Sequence, residues 1–241
     1  MRRRTRVTSL VTAAAAALIL TSCSNGSAGP DNSSSAASAD PAQTAAVKAL
    51  TDGALAKYKQ KSVIVRVVKD GVDIYTGAAG ESMTGVPATT AMHTRNGAFA
   101  FTYIGETYAK MADQNIINLD EPISKWLPEL RDSSKVTIRN LLNMTSGYPD
   151  YVYQPAVQEG VQRYPYKQWT DDEMIAVGLS RPNYFEPGTN WGYSHTNYVI
   201  LGKLLPLITG KPTAEALAEY VLEPMDLKNT TGNGAALLAN A

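Results

Sequence analysis

Apolar residues after position 40 follow helical and strand-like spacings in turn. They recur at mostly helical intervals over residues 42–59, which predicts a helix. Residues 62–68 and 72–76 are rich in valine and isoleucine, and the Asp70-Gly71 pair between them is typical of a two-residue turn. We therefore expect one helix followed by a β-hairpin.

The later part of the chain has a mostly helical pattern. Apolar residues three and four apart predict a helix over residues 98–114. A Thr-Asp-Asp-Glu sequence at residues 170–173 has the spacing of a capping box and predicts the start of a helix that reaches about residue 179. Residues 194–209 and 213–222 predict two more helices, the second ended by a Glu-Pro pair.

This order of elements predicts an α+β fold. A two-stranded hairpin alone is marginally stable in water, so it needs partner strands or another cover. No strand pattern follows Leu222. We therefore expect either a chain that lacks the C-terminal strands of its sheet or a hairpin that another element covers.

The first 22 residues have the layout of a secretion signal, with four arginines before an apolar run at residues 10–20. That run supplies only about half of the about 20 apolar residues that a membrane helix needs. It ends in Leu-Thr-Ser-Cys, which resembles the lipobox of bacterial lipoproteins. The resemblance implies removal of residues 1–22 and a lipid on Cys23, the single cysteine of the chain. An incidental cysteine after an ordinary signal peptide is the alternative.

Composition divides the remaining chain into a tether and one domain. Residues 23–40 are rich in serine and alanine and predict a flexible tether, and residues 41–241 suffice for one substantial domain. The chain has 22 basic and 22 acidic residues, and removal of residues 1–22 takes four arginines and no acid. No basic patch remains, which argues against nucleic acid as a partner. We expect no cofactor and no metal ion.

Four blocks of sequence carry a resemblance to a known family. They are LDEPISKWLP at residues 119–128, VTIRNLLNMTSG at 136–147, PGTNWGYSHTNYVILG at 187–202 and EPMDLKNT at 223–230. In this order they resemble the serine β-lactamase and penicillin-binding protein family, in particular class C β-lactamases, D-alanyl-D-alanine carboxypeptidases and related esterases. The resemblance covers residues 45–232 and implies a β-lactamase/DD-peptidase-like fold and acyl-transfer chemistry.

The family performs acyl transfer with a serine nucleophile and a lysine three residues later on the same helical turn. By the spacing to Pro122, Ala98 occupies the serine position and Phe101 the lysine position. Alanine cannot attack a carbonyl and phenylalanine cannot accept a proton, so the resemblance implies a catalytically inactive member. The nearest analogue, Thr107-x-x-Lys110, is expected to lie on a solvated helix face.

Tyr193 stands at the position of the family's catalytic tyrosine, and His195 replaces the usual asparagine. One interpretation is that His195 tunes or replaces the family's proton path. The favoured alternative is that Tyr193 packs between two parts of the fold and His195 binds a backbone carbonyl.

Three functions remain open on this sequence. The favoured one is an exported lipoprotein at the outer face of the bacterial cell membrane, inactive as an enzyme, that binds peptidoglycan peptides or an envelope protein. The second is a hydrolase that works through His195 and a bound water. The third is a truncated, non-functional copy, since the family's Lys-Thr-Gly or His-x-Gly element does not occur before Ala241.

Overall fold

A computed structural model describes residues 39–231 of the chain. The predicted signal peptide, Cys23 and nearly all of the predicted tether lie outside the described residues. Within them, no helix is long and apolar enough to cross a membrane. The elements in chain order are α1 (Pro41–Tyr58), β1 (Ser62–Lys69), β2 (Val72–Met83), β3 (Val86–Pro87), α2 (Ala100–Asp113), α3 (Ile138–Leu142), α4 (Pro155–Arg163), α5 (Asp171–Gly178), α6 (His195–Thr209) and α7 (Thr213–Leu217).

The predicted hairpin is confirmed. β1 and β2 pair antiparallel, and Asp70 and Gly71 both have positive φ, 52° and 79°, as a tight turn of the type that suits strand twist requires. β2 is longer than the sequence pattern indicated, and β3 pairs with its far end. The described residues thus hold a three-stranded antiparallel sheet in the order β1-β2-β3.

Helix α1 covers the hairpin. Asp40 caps its N-terminus through a hydrogen bond from the Ala42 amide, 2.9 Å. One turn later the Thr44 hydroxyl donates to the Ile74 carbonyl of β2, 2.8 Å. Ile74 is the one buried residue of the three described strands, and this bond to its carbonyl fixes the helix over the sheet. The hairpin therefore has the cover that a two-stranded ribbon needs.

Helix α6 is the centre of the helical part. Ile200, Leu201, Leu204 and Leu205 are completely buried, and their spacing puts them on one broad face of the helix. The face packs against α2, where the Tyr108 hydroxyl donates to the Leu201 carbonyl, 2.7 Å. This packing brings the N-termini of α2 and α6 together, where the predicted site residues lie.

One predicted helix boundary agrees with the structure, and two predicted helices are interrupted by other helical turns. Thr170 and Glu173 form the predicted capping box at the start of α5, with the two backbone-to-side-chain bonds at 3.2 and 3.0 Å. The helix predicted over residues 98–114 begins instead with a 3₁₀ turn, Gly97–Phe99, before α2. The helix predicted over residues 213–222 is divided into α7 and a π-helical turn, Ala218–Leu222.

Candidate functional site

Ala98 and Phe101 lie at the entrance to α2. Ala98 is exposed in the 3₁₀ turn, and Phe101 is half-buried in the first turn of the helix. Residues three apart on such a turn share a face, so both positions border the same surface. A methyl group and a phenyl ring stand there, and neither can attack a carbonyl or carry a proton.

Phe101 is held in a group of aromatic rings that we call the aromatic corner: Phe101, Tyr193, His195 and Tyr198. Its ring stacks on Tyr198 with centroids 3.9 Å apart and planes 16° apart. Tyr193 and His195 lie 6.1 and 5.6 Å from it. Tyr198 is fixed in turn by its hydroxyl, which donates to the Leu142 carbonyl at 3.0 Å. The phenyl ring thus joins the start of α2 to the start of α6.

Tyr193 and His195 face each other in this corner. Their rings are perpendicular, at 89°, with centroids 5.0 Å apart. Burial raises the pKa of the Tyr193 phenol, and the negative charge of Asp150 and the neighbouring Tyr153 add to the rise. The Tyr193 hydroxyl is therefore protonated at neutral pH and can donate a hydrogen bond.

Asp150 is the partner of His195. The histidine Nδ1 lies 2.8 Å from Asp150 Oδ2, and the carboxylate is 1% exposed. The prediction that His195 binds a backbone carbonyl is therefore wrong, because the buried Asp150 carboxylate is the partner of Nδ1. The other carboxylate oxygen accepts from the Val152 amide at 3.0 Å and caps the short helical turn Tyr151–Tyr153.

The segment that carries Asp150 is fastened to the start of α6. The Thr196 hydroxyl is completely buried, donates to the Pro149 carbonyl at 2.7 Å and accepts from the Tyr151 amide at 3.1 Å. The Gln154 side chain donates to the Asp150 carbonyl at 3.1 Å. Backbone on both sides of Asp150 is thus fixed, and its carboxylate is held against His195.

Thr107 and Lys110 do not form a displaced nucleophile and base. Thr107 is completely buried and its hydroxyl donates to the Tyr103 carbonyl of the same helix, 2.9 Å. Lys110 lies 3.7 Å from Glu106. The prediction of a solvated helix face at Thr107 is therefore wrong. A substrate cannot reach the buried Thr107 hydroxyl.

A cavity of about 810 Å³ lies near the start of α2 and is separate from the aromatic corner. It is lined by residues 90–97, Tyr103 and residues 229–231, and by no member of the corner. Among the described residues, no cluster of histidine, cysteine, aspartate or glutamate side chains could hold a metal ion.

A helical part around a buried α6 and an antiparallel sheet covered by α1 agree with the α+β fold expected of the serine β-lactamase and DD-peptidase class. The profile of the Beta-lactamase family matches residues 47–238, and the chain belongs to that family. The family resemblance and the α+β fold expected from the sequence are thereby confirmed.

The chain is similar to proteins named as an esterase, a putative carboxypeptidase and an amidohydrolase. Esterase EstB of Burkholderia gladioli is 27% identical over 80% of this chain and 52% of its own length. A putative D-alanyl-D-alanine carboxypeptidase of Escherichia coli (strain K12) is 26% identical over 52% of this chain and 30% of its own. The crystal structure of a D-stereospecific amidohydrolase from Streptomyces sp. has a TM-score of 0.64, 30% identity, and coverage of 78% of this chain and 55% of that one. The chain thus spans about half the length of these relatives or less.

Proposed function

We propose that this protein binds peptides that end in D-amino acid residues and does not form an acyl-enzyme with them. The observation that carries the proposal is the pair of residues at the start of α2, an exposed Ala98 and a Phe101 stacked on Tyr198 at 3.9 Å. An acyl-enzyme needs an oxygen or sulfur nucleophile and a base to take its proton. Ala98 supplies no nucleophile, and Phe101 supplies no base.

The ligand class is inferred from the relatives and from the surviving corner. Two of the relatives are named for D-alanyl-D-alanine and for D-stereospecific amide substrates. Tyr193 is 40% exposed, its ring lies 6.1 Å from that of Phe101 between centroids, and its hydroxyl can donate to a peptide carbonyl. An envelope protein that presents such a peptide is the alternative partner.

The place of action is proposed from the N-terminal sequence. A signal-like segment followed by Cys23 supports export and attachment of lipid to that cysteine, at the outer face of the cell membrane. Growth with a labelled fatty acid tests this point. The protein should carry the label, and a Cys23→Ser variant should not; a labelled Cys23→Ser variant would contradict the anchor.

The binding proposal is tested with two ligands. A fluorescent penicillin, followed by denaturing electrophoresis, should leave the protein unlabelled, because only a covalent acyl-enzyme survives denaturation. Titration calorimetry should then show reversible binding of a peptide ending in D-Ala-D-Ala and none of its L-Ala-L-Ala counterpart. A labelled band would refute the absence of an acyl-enzyme. Equal affinity for the two peptides, or no binding of either peptide, would refute the proposed ligand class.

A further inference from the structure

We propose that Asp150, His195 and Tyr193 give this protein a second activity, in which His195 activates water for direct attack on esters with acidic leaving groups. The activity is independent of the peptide binding proposed above, since a small ester without any D-amino acid suffices to measure it. It needs no residue at positions 98 and 101 to react. The geometry around one imidazole ring carries the proposal.

The first requirement is a ring nitrogen with a free lone pair. His195 Nδ1 faces the buried Asp150 carboxylate at 2.8 Å, and a carboxylate in this position accepts the ring N–H. The lone pair of the neutral ring is then on Nε2. Among the described residues, Nε2 has no hydrogen-bond partner, and 27% of the side chain is exposed. A water molecule can therefore approach the basic nitrogen.

The second requirement is stabilisation of the charge that forms on the ring. When Nε2 takes a proton, the imidazolium is paired with the Asp150 carboxylate, which is 1% exposed and cannot turn away into solvent. The imidazole is surrounded by the aromatic rings of Tyr193, Phe101 and Tyr151, whose centroids lie 5.0 to 6.2 Å from its own. These rings limit the water around the imidazole. Charge interactions are stronger in such a partly dry setting.

The third requirement is a donor for the oxyanion. The Tyr193 hydroxyl stays protonated at neutral pH because burial raises the pKa of the phenol. The Tyr193 and His195 rings are in edge-to-face contact, with centroids 5.0 Å apart. Tyr193 is 40% exposed and the His195 side chain 27%, so a carbonyl group that docks on the surface they share can meet both a base and a hydrogen-bond donor.

The proposed step balances as an ordinary hydrolysis. The water oxygen bonds to the ester carbonyl carbon while one of its protons moves to Nε2, and the carbonyl electron pair moves to the oxygen that Tyr193 binds. The tetrahedral intermediate then re-forms the C=O bond and breaks the bond to the leaving oxygen, which receives the proton from the imidazolium. The products are a carboxylic acid and an alcohol, and the neutral ring is restored. Aryl esters are the favoured substrates, since a phenolate leaves with little help from an acid.

The activity test uses hydrolysis of p-nitrophenyl acetate by the purified, untagged protein. His195→Gln keeps a polar side chain of similar reach but has no basic nitrogen, and kcat/KM should fall by about 10²-fold, the lower end of what general acid–base catalysis contributes. His93→Ala is the matched control, since His93 is the only other histidine and is exposed. It should leave the rate unchanged. A His195→Gln variant that folds and keeps the rate, or a protein no faster than free imidazole, would overturn the proposal.

The role of Asp150 as a positioning residue is tested by the state of the ring. In a ¹⁵N-labelled His93→Ala background, His195 is the only histidine, and NMR of the neutral ring should show its proton on Nδ1 rather than on Nε2. Asp150→Asn presents an amide N–H to Nδ1, so the proton should move to Nε2 and the esterase rate should fall with it. An unchanged tautomer and rate in a folded Asp150→Asn variant would overturn this role. Mass spectrometry during turnover should find no acetylated protein; an acetyl group on His195 would show a nucleophile rather than a general base and also overturn the proposal.

Discussion

Removal of the Asp150 carboxylate should destabilise the folded protein far more than removal of an exposed carboxylate. In Asp150→Ala the Val152 amide loses its cap and His195 loses the acceptor of its Nδ1–H, 2.8 Å away. Loss of a helix cap costs about 0.5–2 kcal/mol. An unsatisfied donor at a buried position costs about 1–3 kcal/mol. Because His195 is partly exposed and water can reach it, we expect a total near the middle of the sum, roughly 2–4 kcal/mol.

The assay is urea unfolding followed by tryptophan fluorescence, with Asp120→Ala as the matched control. Asp120 makes two charged hydrogen bonds to Arg139, at 2.7 and 2.9 Å, but 61% of its side chain is exposed. In Asp120→Ala, water can solvate the Arg139 side chain in place of the carboxylate, so the loss of unfolding free energy should be much smaller. Equal losses in the two variants would refute the argument that burial of Asp150 sets the value of its contacts.

A double variant separates the two contacts of Asp150. If the His195 donor causes part of the loss, Asp150→Ala combined with His195→Ala leaves no unpaired Nδ1–H, and the double variant should lose less stability than the sum of the single ones. Additive losses would assign the whole effect to the Val152 cap.

Three other predictions concern packing, alkaline stability and the nucleophile position. Gly178→Ala places a Cβ 2.5 Å from the Thr196 hydroxyl and should lower the unfolding free energy by about 1–3 kcal/mol. Gly105→Ala, in the middle of α2 with no atom within 4 Å of the new Cβ, should raise the unfolding free energy by up to about 1 kcal/mol. Urea unfolding measures both changes, and two changes of the same sign would contradict this prediction. Burial raises the pKa of the Tyr108 phenol, so the contribution of this group to stability is full below pH 10 and is lost as the pH rises further. Above pH 10 the unfolding free energy of the wild type should therefore fall more steeply than that of Tyr108→Phe, by about 1.4 kcal/mol per pH unit. Parallel stability curves of the two proteins in alkaline unfolding would contradict this. Ala98→Ser alone should stay unlabelled by fluorescent penicillin, because Phe101 gives the new hydroxyl no base; a labelled gel band from this variant would contradict that reason.

Features with a local cause were predicted from the sequence. The hairpin turn depends on two adjacent residues, Asp70 and Gly71, that tolerate positive φ, and the start of α5 depends on a capping box within four residues. In each case the signal and the structure it sets lie within one short stretch of chain.

The contacts that define the site have no such local signal. Asp150 and His195 are 45 residues apart in sequence, and only the docking of one segment on the start of α6 brings their side chains together. At Thr107 the sequence predicts a solvated helix face, whereas the side chain is completely buried. Its hydroxyl bonds the carbonyl one turn earlier in its own helix, and a side chain satisfied in this way can enter the core without an outside partner.

The stack of Phe101 on Tyr198 has a consequence for the evolution of this chain. On the proposed assignment of positions 98 and 101, a return to the family's Ser-x-x-Lys pair needs changes at both. Serine at position 98 alone meets no base, and lysine at position 101 alone gives up the ring contact at 3.9 Å and places an ammonium group among aromatic side chains without a nucleophile to serve. Neither single step is rewarded by acyl transfer, so selection for that reaction offers no gradual way back. Any activity selected at this site has its shorter mutational route through the residues around His195.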